Sequence, residues 1–251
     1  MTDILNIVVP MAGHGSRFRD AGYDLPKPLI LVHGKPMIEV VIGNVRPRRP
    51  HRFVFLCLAE HLEKFGLKAR LEHMAPGCAV VPVPGVTEGA ACTVLLARSI
   101  IDTASPLMMA NSDQFVETDI NEYLGAMDRS GSEGFIMTMK ADHPQWSYLG
   151  FDASGRISRV VEKEVVSNEA TVGVYNFAHG KDFVHGADSM ISKNIRVNNE
   201  FYVAPVYNEL IAEGKRIDFF NIGEVGHGMH GLGTPLDLEA FLKHPVSRRF
   251  S

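Results

Sequence analysis

Ile7-Val8-Val9-Pro10-Met11-Ala12-Gly13-His14-Gly15-Ser16-Arg17-Phe18 is followed by Asp24-Leu25-Pro26-Lys27-Pro28-Leu29-Ile30 and Gly34-Lys35-Pro36-Met37-Ile38. An apolar strand runs into a glycine-bearing loop, then into a hydroxyl, a guanidinium and two proline-flanked lysines. Gly13 and Gly15 lack a Cβ, so the backbone can turn sharply and present its N–H groups to phosphate oxygens. Ser16 adds a donor, and Arg17 adds a planar fork suited to phosphate. Neither common phosphate fingerprint is complete. A dinucleotide motif wants a third glycine where Phe18 stands, and a P-loop wants Gly-Lys-Ser/Thr at its end. The glycines alone describe an ordinary strand-to-helix turn as well as a phosphate cradle. Arg17, Lys27 and Lys35, following in one short segment, favour the cradle.

Working outward, the chain of 251 residues has room for one large α/β domain, and 45% hydrophobic with 22% charged residues is ordinary for a globular protein. A net charge of −4 offers no basic surface, so neither nucleic acid nor membrane is expected as a partner. No apolar run has the length of a membrane span, and Met1-Thr2-Asp3 does not open like a secretory signal. Cys57, Cys78 and Cys92 lack C-x-x-C spacing and read as reduced residues of a cytoplasmic protein.

Strand-like segments over 4–11, 52–58, 78–83, 106–110 and 134–139 alternate with helix-like ones over 36–45, 60–73, 90–101 and 121–127. That alternation predicts a doubly wound, mainly parallel sheet. After Trp146 the pattern changes. A hairpin over 148–161 turns at Asp152-Ala153-Ser154-Gly155, a strand spans 172–177, helices span 181–192 and 201–213, and a strand spans 217–222. Thr234-Pro235 opens a last helix over 237–242.

The combined motif M-A-G-x-G-S-R-F (11–18), P-K-P-L (26–29) and G-K-P-M (34–37) resembles the signature of the sugar-1-phosphate nucleotidyltransferases, the NDP-sugar pyrophosphorylases. Their common form is A-G-G-x-G-T-R-L followed by P-K-P and K-P-M. Ser16 and Phe18 here replace Thr and Leu. The resemblance implies a Rossmann-like doubly wound mixed sheet of the GT-A-like kind, with a small β-hairpin/α sugar-binding insertion. It implies one catalytic domain over 1–251, with a nucleotide half about 1–140 and an acceptor half about 141–251. Some relatives continue into a β-helical acyltransferase domain, for which no room is expected here. Arg17 and Lys27 are the catalytic candidates, and Met11, Ala12, Gly13, Gly15 and Ser16 the phosphate-binding ones.

Further pieces fall where such a crevice should be. Val86 to Val94 joins a strand to a helix, at the carboxyl end where open α/β sheets bind ligands. The family receives base and ribose on a similar segment. Gly89 and Ala90 would let a flat base lie close, with Thr87 or Glu88 at its edge; Thr87 would alternatively cap the helix. Asn111-Ser112-Asp113 ends the strand at 106–110, which places Asp113 to hold Mg²⁺ against phosphates, with Ser112 beside the nucleotide. The alternative is a simple strand terminus. Val160-Val161-Glu162-Lys163 matches the family's V-E-K, which implies that Lys163 grips the acceptor phosphate and Glu162 faces the sugar hydroxyls. Glu164 stands where proline is frequent. Ala170 to Tyr175 resembles a G-I-Y strand beside the sugar, with Thr171 and Gly173 in the acceptor pocket.

Gly231-Leu232-Gly233-Thr234-Pro235 resembles D-x-G-T-P, yet no carboxylate precedes Gly233, so the family's second metal ligand is missing at that place. His227 and His230 are three apart, a spacing that suits packing residues or a transition metal. The reaction implied is attack of a sugar phosphate oxygen on the α-phosphorus of an NTP with loss of pyrophosphate, Mg²⁺-dependent and needing no nucleophilic side chain. The partners are then an NTP and a phosphorylated small-molecule acceptor. Base, acceptor and any homo-oligomer stay open. Rival readings are a non-catalytic nucleotide-sugar-binding regulator, a cytidylyltransferase-like enzyme with a non-sugar acceptor such as a polyol, choline or amino-acid phosphate, and a glycosyltransferase, for which Asn111-Ser112-Asp113 half satisfies D-x-D. A nicotinamide oxidoreductase is disfavoured by Phe18.

Overall fold

In the computed structural model, which describes residues 4–250, the opening apolar run becomes β1 (Leu5–Met11) in the interior of a large sheet. It pairs in parallel with strands on both sides, which is why it reads as a continuous apolar run rather than an alternating one. After β1 come α1 (Ser16–Asp20), a small antiparallel pair β2 (Leu31–Val32) and β3 (Lys35–Pro36), α2 (Met37–Val45), β4 (His51–Leu58), α3 (Ala59–Phe65), α4 (Leu67–Met74) and β5 (Ala79–Val83). Then follow α5 (Ala90–Leu95), α6 (Arg98–Ile101), β6 (Leu107–Ala110), β7 (Gln114–Val116), α7 (Ile120–Ser130) and β8 (Gly134–Lys140). The second half holds the hairpin β9 (Ser147–Phe151) and β10 (Ile157–Glu162), then β11 (Glu169–Phe177), α8 (Gly180–Ser192), α9 (Tyr207–Ala212), β12 (Ile217–Val225), β13 (Gly228–Gly231) and α10 (Pro235–Lys243).

The strand order is β5-β4-β1-β6-β11-β8-β12-β13-β7, with the hairpin attached through β11. Strands β5, β4, β1 and β6 are parallel, β11 runs antiparallel to both β6 and β8, and β8 and β12 are again parallel. The sheet is therefore mixed and mainly parallel, as the alternating pattern predicts. Because β11 runs the other way, its first residues, not its last, lie at the end of the sheet where β1 and β6 finish. A register shift between Thr171 and Tyr175 bends β11 at that end. Bulges of this kind re-aim side chains near sites.

Strand β1 feeds both faces. Leu5, Ile7, Val9 and Met11 enter one core with Ile38 and Val41 of α2, Leu67 of α4 and Tyr123 of α7; Val8 enters the other with Val94 of α5, Phe183 of α8 and Tyr207 of α9. A third cluster joins Phe18 to Val40, Phe115, Leu232 and Phe241. Phe18 is 1% exposed. The residue that spoils the dinucleotide fingerprint is thus an anchor, fastening the first loop to the C-terminal segment.

Some elements differ from expectation. The helix predicted over 60–73 is two helices, because Gly66 adopts φ +58° between them. The segment 90–101 breaks into α5 and α6, and the helix expected over 201–213 is reduced to α9 after a 3-10 turn over Ala204–Val206. Strands β2, β3, β7 and β13 are two to four residues long, too short to show a period.

Candidate active site

The loops that leave β1, β5 and β6 meet at one end of the sheet. A cleft of about 340 Å³ is lined by Met11, Ala12 and Gly13 from the first loop, by Thr87, Gly89 and Ala90, and by Ser112 and Asp113. Lys27 closes it: its Nζ donates to Asp113 Oδ2 at 2.8 Å, bridging 86 positions of sequence. Both side chains are about a quarter exposed, at 24% and 26%, so the pair faces the cleft rather than the core. Gly15 takes φ +60° at the start of α1, and the amides of residues 13–16 serve no protein acceptor among the described hydrogen bonds. A turn of free amides beside an ammonium is the donor set that an oxyanion takes.

A second recess of about 300 Å³ adjoins the first and shares Pro10, Ala90 and Asn111 with it. Glu162, Thr171 and Gly173 line it together with Trp146, Tyr175 and Tyr202. Gly173 has φ +80°, and a Cβ there would fall 2.1 Å from Asn111 Nδ2, so only glycine lets the bulge of β11 come this close to the end of β6. Glu162 is buried and accepts from the Ser147 hydroxyl. Burial pushes its carboxyl above the usual range; Ser147 and Lys163 pull the other way, and Glu200 adds to the upward push.

Not every expected residue lines these walls. Arg17 and Ser16 are exposed on α1, outside the cleft lining, and Arg17 has no hydrogen bond or ion pair among the described residues. Glu88 turns from the base position: its carboxylate pairs with Arg196 at 2.5 Å. Thr87 does not cap α5; its hydroxyl donates to the Gly89 carbonyl at 2.8 Å and lies 2.6 Å from that of Thr93. Lys163, with φ +58°, stands at the rim and donates to Tyr202 OH at 2.7 Å, which raises its pKa. His230 Nε2 lies 2.8 Å from Glu117 Oε1, which lowers the pKa of Glu117, and among the described residues no three His, Cys, Asp or Glu side chains are grouped to hold a metal. The three cysteines are free; burial pushes the Cys57 thiol up to about 12, so it is no nucleophile at neutral pH.

Residues 194–202 supply what sequence reasoning missed. Asn194, Asn198 and Asn199 all have positive φ, and the segment folds back so that Phe201 N donates to Glu88 O at 2.8 Å and Ala91 N donates to Phe201 O at 3.0 Å. This brings Glu200 into the first cleft and Tyr202 into the second. The run of asparagines was the available signal, since Asn tolerates the left-handed conformation. The segment before α10 also closes on the site. Leu232 N donates to Asp113 O at 2.8 Å, and a Cβ on Gly233 would lie 2.7 Å from Asp113 Oδ2. Thr234 caps α10, accepting from Asp237 N at 3.1 Å. Thr234→Ala is expected to lower stability by about 1 kcal/mol in urea unfolding, the usual worth of such a cap; an unchanged midpoint would show that the cap contributes nothing.

A family model described as nucleotidyl transferase matches residues 7–196, which include most of the lining of both clefts but not Glu200 or Tyr202. The chain belongs to this family. Among curated relatives, a mannose-1-phosphate guanyltransferase of Gibberella zeae is 29% identical over 189 residues, covering 68% of this chain and 48% of that protein. A mannose-1-phosphate guanylyltransferase catalytic subunit beta of Dictyostelium discoideum is 27% identical over 191 residues, covering 69% and 49%. The chain thus spans about half the length of the curated relatives it matches. A solved nucleoside-diphosphate-sugar pyrophosphorylase from Vibrio cholerae RC9 superposes with a TM-score of 0.80 at 25% identity, over 94% of this chain and 99% of that one. For this nucleotidyl transferase chain, the expected family and fold class both hold. No helix among the described residues is long and apolar enough to cross a membrane.

Proposed function

We propose that this chain transfers the nucleotidyl group of an NTP to the phosphate of a small phosphorylated acceptor, the class that includes the sugar 1-phosphates, in the cytoplasm. The observation that carries the reading is the Lys27–Asp113 pair, which joins the segment after the first loop to the end of β6 in the first cleft, which adjoins the second. An acceptor phosphate oxygen attacks the α-phosphorus; the bond from that phosphorus to the oxygen bridging to the β-phosphate breaks, and pyrophosphate leaves. Both reactants are anions, so the protein's task is positioning and charge neutralisation. The amides of residues 13–16 and Arg17 take the NTP phosphates. Lys27 stabilises charge that grows on the α-phosphoryl group and the leaving pyrophosphate. The base lies along Gly89 and Ala90, and Lys163 meets the acceptor phosphate. The nucleotide half, about 1–140, supplies all of the first cleft's lining but Glu200, and the second cleft is lined from both that half and the acceptor half, about 141–251.

The residues present fit a magnesium ion. Mg²⁺ is commonly held by one or two carboxylates, with water and substrate phosphates completing its shell. Asp113 faces the cleft, and Glu200 lines the same cleft. When bound there, the ion would neutralise phosphate charge and help align attacking and leaving oxygens. A matrix of NTPs against phosphorylated acceptors, read as pyrophosphate released with Mg²⁺, tests the proposal. Release with at least one pair is the expected result. Nucleotide binding without release from any pair would favour the regulator reading, which the absence of an acid before Gly233 motivates.

A further inference from the structure

The acceptor-side recess sets aromatic walls around a buried carboxylate. Trp146, Tyr175 and Tyr202 present aromatic side chains to it, and its one buried carboxylate, Glu162, is only 8% exposed. Oε2 of Glu162 accepts from Ser147, while Oε1 has no hydrogen-bond partner among the described residues. The neighbouring hydroxyls are occupied with one another. Thr171 Oγ1 and Tyr175 OH lie 2.8 Å apart, and Tyr202 OH accepts from Lys163 at 2.7 Å. A hexose needs several free donors and acceptors around its ring. Asn111 and Gln145 offer it amides, but a neutral ring brings no positive charge to the free oxygen of Glu162, which in the chain itself only the exposed Lys163 ammonium offsets. That is costly in a recess walled largely by carbon. Glu200 lines the adjoining first cleft and adds negative charge from that side.

The geometry points to an acceptor that brings its own positive charge: a small phosphorylated amino alcohol or quaternary ammonium alcohol, its cationic nitrogen among Trp146, Tyr175 and Tyr202 against Glu162, its phosphate toward Lys163. The inference rests on the nucleotidyl-transfer reading and names its acceptor. Aromatic faces attract cations through the ring quadrupole, most strongly when the site is desolvated. The Tyr202 ring already has the Lys163 ammonium 4.8 Å from its centroid. A volume of about 300 Å³ suits a compact head group.

The test is calorimetric titration of the whole chain with choline phosphate, with ethanolamine phosphate, and with 3,3-dimethylbutyl phosphate, the uncharged carbon isostere of choline phosphate. Glucose 1-phosphate and mannose 1-phosphate complete the set. The phosphate is common to all, so differences report the head group. At least one cationic phosphate is expected to bind about tenfold or more tighter than the isostere. Glu162→Gln should shrink that ratio to about threefold or less while isostere binding is retained, which also shows that the variant is folded. Trp146→Leu should weaken the cationic ligand selectively. Equal binding of charged and uncharged head groups, or tighter binding of a hexose phosphate, overturns the inference. Cation-selective binding with no pyrophosphate released from any NTP would instead overturn the transfer reading and leave this one standing.

Discussion

Asp113→Asn and Lys27→Ala are each expected to cut pyrophosphate release at least ~100-fold while moving the melting temperature by no more than a few degrees. The two halves of that expectation rest on different properties of one ion pair. The side chains are 24% and 26% exposed, so their mutual attraction is screened, and pairs of this kind contribute about 0–1 kcal/mol to folding. For a chain of 251 residues that is a shift of roughly 2–4 °C or less. Turnover is another matter. In the proposed reaction Lys27 meets the charge that grows on the α-phosphoryl group, and Asp113 would hold the magnesium ion that offsets it. Asparagine keeps the shape of Asp113 and removes its charge, so a loss in Asp113→Asn reports electrostatics rather than packing. Arg17→Ala belongs in the same series, because the guanidinium is exposed and unpaired among the described residues, and its loss should likewise fall on activity and not on stability. Near-native turnover in all three would remove the first loop from the chemistry.

Much of this site was legible because the relevant residues are fixed by backbone chemistry near strand ends. The apolar run at 5–11, the loop after it and the acid after 107–110 need only the rule that open α/β sheets bind ligands beyond their carboxyl ends. The second recess was less legible for a physical reason. Glu162 and Lys163 carry a local motif, and Trp146 is held beside them by Lys163 N donating to its carbonyl at the foot of the hairpin, but Tyr202 reaches the recess and Glu200 the first cleft through tertiary pairing. That pairing depends on three left-handed asparagines and on two hydrogen bonds between segments more than 100 residues apart. Glu88 shows the same limit from the other direction: the residue stands in the expected segment, but a partner from residues 194–202, Arg196, takes its carboxylate. Phe18 carried a half-right signal. It excluded the dinucleotide fingerprint, but its role as an anchor depends on Phe115, Leu232 and Phe241, which come from distant parts of the chain.

Gly89→Ala is expected to strike stability and activity together. Gly89 has φ +137° and ψ 172°, a conformation that side chains rarely adopt, and a Cβ built there would fall 2.4 Å from Phe201 O and 2.5 Å from Phe201 N. Those atoms belong to the main chain and cannot swing aside. The segment must retreat, and with it go the bonds Phe201 N to Glu88 O and Ala91 N to Phe201 O. Phe201 is 1% exposed, with the Arg196 guanidinium 4.1 Å from its ring centroid, so retreat also opens a packed side chain. Backbone strain of about 1–3 kcal/mol and a comparable cost for unmet buried groups make a total of roughly 2–6 kcal/mol. That corresponds to a fall in melting temperature of about 4–24 °C. Activity should drop further than stability alone explains, because Glu200 and Tyr202 flank the displaced residue and a misplacement of about 1 Å can cost ~100-fold in rate. Gly155→Ala is the control: φ is +81° at the hairpin turn, but nothing lies within 4 Å of the added Cβ. It should carry only the conformational penalty of about 1 kcal/mol and leave turnover intact. If Gly89→Ala matched this control in both readouts, the pairing of residues 88–91 with Phe201 would not be what holds the two clefts together.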